Sequence, residues 1–390
     1  MSGTVQEYLD AHREEHFAEF LELLRIPSVS TTPELAGEVR RCAEWVADRL
    51  RRAGVPTVDL IDTDLHPVII GEWGGQAGKP TILVYGHYDV QPADPLDLWQ
   101  SPPFEPTTRD GLIYARGAAD MKSNLITVIQ AIEAYSAVNG APPVNLVFFF
   151  EGEEEIGSPN ARTTIEKHRD RLGATGVLSC DGGMEAPDRA ALLVALKGIT
   201  GLQINLRTGT TDLHSGMYGA TVPNALQAMV TLAASFHHSD GRVAIEGFYD
   251  DVVELTPEER EELARNPTTE ADLLKEAGVA VAWGEPGYTF LERMGARPTI
   301  DFNGLWGGFQ GEGSKTVTPC EAHLKITSRL VANQDPGRIA ELIREHALKH
   351  APEGAEITFT AAEWGAVAYS TPRDNPLQIA AERVLTEQYG

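Results

Sequence analysis

Residues 144–150 read Val-Asn-Leu-Val-Phe-Phe-Phe, an apolar run with a single polar interruption. Such a run is the mark of a strand buried on both faces, and strands of that kind sit inside sheets covered by helices above and below. Its neighbours fit the pattern. Short strands are expected at 58–61, 68–71 and 82–85, a helix from Met121 to Val138, a helix over 160–171 and a strand at 177–180. Two helices precede them. One spans 4–25 on apolar positions at helical spacing (Val5, Leu9, Phe17, Phe20, Leu21, Leu24) and ends at Ile26-Pro27; the other spans 34–53 and stops at Gly54. Strands alternating with helices predict an α/β sheet with parallel pairs.

The texture changes at Lys197-Gly198. Residues 201–206 alternate apolar and polar, as a sheet with one solvated face requires. A helix over 224–236, an acidic helical insertion over 256–277, a strand at 323–327, a helix over 336–350 and a strand at 357–361 follow. The order strand–helix–strand–strand–helix–strand predicts an α+β domain of ferredoxin-like kind. From Pro372 a helix over 375–388 returns to the first domain. The expected division is 1–197, 198–371 and 372–390.

Composition narrows the function. The 57 acids against 32 lysines and arginines leave a net charge of −25, which repels phosphate backbones and anionic membranes and argues against nucleic-acid or membrane partners. Solubility accounts for most of these acids. The three cysteines, Cys42, Cys180 and Cys320, are scattered and form no CxxC pair, so neither a disulfide framework nor a zinc knuckle is indicated and a reduced, cytoplasmic setting is expected. The amphipathic N-terminus lacks a signal h-region, and no apolar run is long enough to span a bilayer.

Chemistry-bearing residues collect where strands run out. The 82–85 strand leads into His87 and Asp89, which alternation places on one face. The 144–150 strand empties into Glu151, Glu153, Glu154 and Glu155, and the 177–180 strand into Asp181; Asp120 stands where the N-cap of the next helix is expected. Ligands of open α/β sheets bind beyond such strand ends. Each residue alone has a plain reading: a helix cap for Asp120, a solvated turn for the glutamates, a closed turn for Asp181. Together, one imidazole and several carboxylates that cannot all ionise side by side without a cation point to a divalent metal such as Zn²⁺ or Mn²⁺. No HExxH or GxSxG occurs, residues 311–316 lack the Gly-Lys of a phosphate loop, and Ser215 beside His214 is no nucleophile–base pair.

Five segments carry a specific likeness: Gly86–Val90 (GHYDV), Gly117–Ser123 (GAADMKS), Glu154–Ser158 (EEIGS), Ser179–Asp181 (SCD) and Asp212–Gly216 (DLHSG). In order and spacing the chain resembles the co-catalytic zinc metallopeptidases. These include carnosinase-like cytosolic dipeptidases, aminoacylases, acetylornithine deacetylase and glutamate-releasing carboxypeptidases. Trp99–Pro106 and Gly311–Pro319 look most like the dipeptidase branch.

The resemblance implies a catalytic domain with a mixed, largely parallel sheet flanked by helices, into which an α+β ferredoxin-like lid and dimerisation domain is inserted. It implies two divalent metal ions, zinc first and manganese or cobalt as alternatives. His87 and Asp181 would hold one ion, Asp120 would bridge both, and Glu155 would hold the second. Glu154 would be the general base, Asp89 the partner that orients His87, and the peptide bond after Asp120 cis. His214 would reach across a homodimer, while Thr316 and Arg329 would hold the far end of the substrate, Arg329 by its carboxylate. The substrate class is a dipeptide or short peptide. Alternatives are an N-acyl-amino-acid deacylase and a non-catalytic dimeric homologue. The resemblance also implies a further histidine for the second metal, from a Gly-Gly-Ser-x-Pro region near the C-terminus. No counterpart occurs, and His346 and His350 fall on a lid helix. A chain cut short at Gly390, in mid-domain, is therefore expected.

Overall fold

The strand Asn145–Glu151 lies at the middle of a five-stranded sheet in the computed structural model, which describes residues 3–186, 188–361 and 365–390. From Leu146 to Glu151 every residue is buried, as a strand covered on both faces must be. The sheet order is Thr57–Ile61, Val68–Trp73, Asn145–Glu151, Thr81–His87, Gly176–Ser179. The last three strands are parallel and the first two antiparallel to their neighbours. Register puts His87 opposite Glu151 and Tyr85 opposite Ser179, so three strands deliver their C-terminal ends to one edge.

Helices cover this sheet through narrow apolar stripes. Ala36–Arg52 buries Val39, Cys42, Ala43, Val46 and Leu50, at the i, i+3, i+4, i+7, i+11 positions of one helix face. Lys122–Asn139 buries Leu125, Ile126 and Ile129 and ends at left-handed Gly140 (φ 84°). It lies close on the Thr81–His87 strand: a Cβ on Gly86 would come within 3.0 Å of Met121 and 3.2 Å of Leu125. The fully buried Lys122 anchors its first turn, donating Nζ to the Leu23 and Ile26 carbonyls at 3.2 and 2.6 Å.

Two expected helices are broken in two. The first divides at His12 into Val5–Ala11 and Arg13–Leu24, and the 160–171 helix divides at His168 into Ala161–Lys167 and Arg169–Leu172. Both histidines leave helical dihedrals, with φ near −103° and −112°. A hairpin absent from the expectations joins Thr107–Arg109 to Leu112–Tyr114. Its Asp110-Gly111 turn has positive φ at both residues, the pairing that two-residue hairpins favour.

The chain forms two compact units, residues 1–191 with 383–390, and residues 192–382. The second contains a four-stranded antiparallel sheet in the order Thr299–Gly307, Glu321–Leu330, Gly198–Arg207, Glu356–Ala361. Helices Ala225–Ala234 and Pro336–Lys349 supply Met229, Leu232, Leu342 and Ile343 to a core with Leu202, Ile204, Leu206, Leu324 and Ile326. The chain order is the ferredoxin-like one. Its second strand, Thr299–Gly307, is not among the expected strands; it carries a bulge at Asn303-Gly304, where the register shifts. The acidic insertion forms helices Pro257–Leu263 and Glu270–Ala277, each started by a capping box. The helix Pro376–Tyr389 ends the chain. Among the described residues no helix is long and apolar enough to cross a membrane.

Candidate metal centre

His87 closes its strand with a buried ring. Its Nε2 lies 3.1 Å from Asp120 Oδ1, 3.8 Å from Asp181 Oδ2 and 4.0 Å from Glu154 Oε2. Ligand atoms of His87, Asp120 and Asp181 all fall within 4.8 Å of one another. Asp181 follows the edge strand, held in register by the Cys180 N–H donating to the Tyr85 carbonyl (3.0 Å). Asp120, expected as a metal ligand, does not cap the helix it precedes. Met121 occupies the N-cap position with no side-chain capping bond, and the Asp120 carboxylate faces His87 instead. The Asp120–Met121 peptide is cis.

Asp89 is fully buried beneath the ring. His87 Nδ1 lies 3.1 Å from the Asp89 backbone carbonyl and 3.3 Å from its Oδ1, and the carboxylate accepts the backbone N–H groups of Glu154 (3.3 Å) and Glu155 (3.1 Å). One carboxylate thereby orients the imidazole and pins the glutamate turn beside it. The glutamate segment is not a solvated turn. Glu151 is buried and accepts from Tyr85 Oη (2.9 Å) and Ser158 Oγ (3.0 Å). Glu153 is buried too, accepting from Thr63 Oγ1 (2.8 Å), the His66 N–H (2.9 Å) and Asn160 N and Nδ2 (3.1 and 3.0 Å). Only Glu154 and Glu155, on a 3₁₀ turn closed by left-handed Gly157, remain for chemistry. Gln91 donates Nε2 to Glu155 Oε2 at 2.8 Å. Gln91 is not among the residues expected from the sequence, since it lies beyond the end of the Thr81–His87 strand and only the fold brings it to Glu155.

The residues gathered around His87 come from the first unit; His214, Thr316 and Arg329 belong to the second. Exposed His214 lies on a two-residue strand paired with Val317–Thr318, its Nδ1 accepting the Gly216 N–H at 3.0 Å. Nε2 therefore carries the proton and is a donor. Thr316 is exposed beside it and accepts the Ser215 N–H through its carbonyl (3.1 Å). Arg329 is exposed on the Glu321–Leu330 strand between Ile199 and Thr299.

The charges are mutually frustrated. Burial by itself lowers His87, but the carboxylates of Asp89, Glu154 and Asp120 outweigh it and raise its pKa from 6.5 to about 9. Burial followed by neighbouring carboxylates raises Glu154 and Asp181 as well, with His87 opposing; at Glu155 burial is likewise the first cause, opposed by the Gln91 hydrogen bond and His87 and reinforced by Asp120 and Asp89. A divalent cation at His87 Nε2, Asp120 and Asp181 would remove that repulsion, and one nitrogen with two carboxylate oxygens suits zinc. The donor set fits one ion. Glu155 and Asp120 remain for a second, and among the described residues no other group of three donors converges.

A pH dependence follows. All four groups hold protons more tightly folded than unfolded, so without metal their stabilisation is present at low pH and lost as pH rises. For His87 it is complete below 6.5 and gone above about 9. Metal requires His87, Asp181 and Glu155 among them deprotonated and binds better as pH rises. The melting temperatures of chelated and zinc-loaded protein are expected to diverge between about pH 6 and about pH 8.5. Scanning calorimetry at several pH values checks this, and a constant or shrinking gap would contradict it.

Comparison with known proteins gives the family. The chain belongs to peptidase family M20/M25/M40, whose model matches residues 83–390. It is 31% identical over 356 residues to the Cys-Gly metallodipeptidase dug1 of Schizosaccharomyces pombe, covering 88% of this chain and 75% of that protein. The M20 family metallo-carboxypeptidase Sso-CP2 from Sulfolobus solfataricus superposes with a TM-score of 0.82 at 34% identity, over 96% of this chain and 84% of that one. Human carnosine dipeptidase 1 gives 0.79 at 28% identity, over 98% and 83%. The chain is thus a metallopeptidase, on the dipeptidase branch of its family.

Proposed function

We propose that this protein hydrolyses the amide bond of dipeptides, with His87, Asp120 and Asp181 holding one divalent ion and Asp120 and Glu155 contributing to a second. The reading is carried by the convergence of one imidazole and two carboxylates at the strand ends of a chain from this family. Zinc is the ion that best suits the donors. Bound there, the metal supplies an activated water and polarises the scissile carbonyl.

The chain's own residues do the rest. Glu154 is the general base: its carboxylate, 4.0 Å from His87 Nε2 and raised by burial, takes a proton from water and passes it to the departing amine. Asp89 holds His87 and the Glu154 backbone in place. The second unit acts as lid and dimerisation domain in a cytoplasmic homodimer. From it the Nε2–H of His214 meets the developing oxyanion across the dimer, Thr316 holds the distal part of the substrate, and Arg329 its carboxylate.

A substrate panel tests this. With zinc present, dipeptides are expected to exceed acetylated and succinylated amino acids by about tenfold or more in kcat/KM. A preference for the N-acyl amino acids would make the protein a deacylase. Metal content with no turnover on either set would make it a non-catalytic homologue.

A further inference from the structure

Asp120 and Asp181 approach His87 from different elements, one ahead of the Lys122–Asn139 helix and the other after the Gly176–Ser179 strand. Something must fix the distance between them. Packing does not do this for Asp181. Its strand lies at the sheet edge with Val177 62% and Leu178 47% exposed, and Gly182, Gly183 and Met184 beyond it are exposed as well. An edge strand running into two glycines has little to hold it in one conformation.

A single amide supplies the missing tie. Asn124 Nδ2 donates to the Cys180 carbonyl at 2.7 Å and to the Gly182 carbonyl at 2.5 Å, the two carbonyls on either side of Asp181. Its Oδ1 accepts from Ser123 Oγ at 3.1 Å, which fixes the orientation of the amide. Both N–H donors and one of the two oxygen lone pairs are used, and Asn124 stands on the first turn of the helix that Asp120 precedes. Among the described residues, the other backbone bond across this stretch is Cys180 N–H to Tyr85, which stops short of Asp181.

We infer that Asn124 is a positioning residue that sets the spacing of Asp181 relative to Asp120, and through it the affinity of the metal site. It touches neither substrate nor metal. The inference rests on the metal-binding reading above and adds to it a residue outside the ligand set. Partners that orient ligands typically govern affinity by about 10–100-fold, and Asn124 holds its ligand through the main chain on both sides.

The test uses the 390-residue chain stripped with chelator, with zinc affinity measured by competition against a chromophoric chelator. Asn124→Ala and the near-isosteric Asn124→Leu are both expected to bind zinc about 10–100-fold more weakly than wild type, with unchanged far-UV circular dichroism and unchanged melting of the metal-free protein. Thr127→Ala, one turn along the helix with its hydroxyl on the Ser123 carbonyl (2.7 Å), is expected to bind as wild type. Wild-type affinity in Asn124→Ala overturns the inference. So does recovery in Asn124→Leu, which would make the role one of shape, and so does an equal loss in Thr127→Ala. Failure of the wild type itself to bind zinc would instead overturn the metal site, and this inference with it.

Discussion

Replacing Glu154 with Gln is expected to leave metal binding intact while lowering kcat and kcat/KM for dipeptides together by about 10²–10⁴-fold. The substitution keeps shape and removes only the capacity to take a proton. Its structural cost is small, because the side chain is partly exposed and the backbone N–H on Asp89 is untouched. The variant should also relieve repulsion, since Glu154 is pushed up by burial and then by Glu155, Asp181 and Asp89. A metal-loaded protein that is as stable as wild type but catalytically poor is the expected phenotype. Steady-state kinetics with parallel metal analysis checks it, and normal turnover would move the base elsewhere.

Removing the Asp89 carboxylate is expected to act on stability and metal affinity at once. Asp89→Ala strands two donors, the N–H groups of Glu154 and Glu155, and removes the carboxylate beside His87 Nδ1, which keeps only the main-chain carbonyl of residue 89 at 3.1 Å. With the carboxylate fully buried, the loss is expected to cost about 2–4 kcal/mol of stability. With the carboxylate gone, the ring is held by the main-chain carbonyl alone and the glutamate turn is unpinned, and zinc affinity should fall by about 10–100-fold. Asp89→Asn, which keeps one acceptor oxygen, should recover part of both. Denaturant unfolding of the metal-free protein and chelator competition measure the two effects separately. A variant that is destabilised but binds zinc normally would show that Asp89 serves the fold alone.

The central sheet was legible because its cues are local. An apolar run with one polar interruption marks a strand buried on both faces, and parallel order then puts His87, the glutamates and Asp181 at one edge. Which glutamates face outward was not local. Glu151 and Glu153 are claimed by Tyr85, Ser158, Thr63, His66 and Asn160, some of them more than eighty residues away in the chain, and no spacing rule separates them from Glu154 and Glu155. Asp120 taken alone has the plain reading of a cap, because Asp favours that position; the reading as a metal ligand comes from the resemblance, and the structure sets its carboxylate beside His87. Asn124 carried no signal, since an asparagine in a first helical turn is ordinary until the Asp181 loop is seen in its grip. The Thr299–Gly307 strand, which carries a bulge at Asn303-Gly304, is not among the expected strands. Local chemistry thus told where the site is, and long-range hydrogen bonding told how it is sorted.

That sorting matters for function. The same segment holds two structural carboxylates and two available ones, so the number of acids in it overstates the charge a metal must neutralise. Gln91 further distinguishes the available pair: it bonds Glu155 and leaves Glu154 without a donor among the described residues. A fixed Glu155 and a free Glu154 are what a ligand and a base respectively need.

The central claim is that His87, Asp120 and Asp181 grip one cation. Anomalous diffraction at the zinc edge from zinc-loaded crystals of the full chain tests it most directly. The account predicts a peak about 2.0–2.2 Å from His87 Nε2 and from one oxygen each of Asp120 and Asp181. Density held by other side chains, or none within bonding reach of His87, would contradict it.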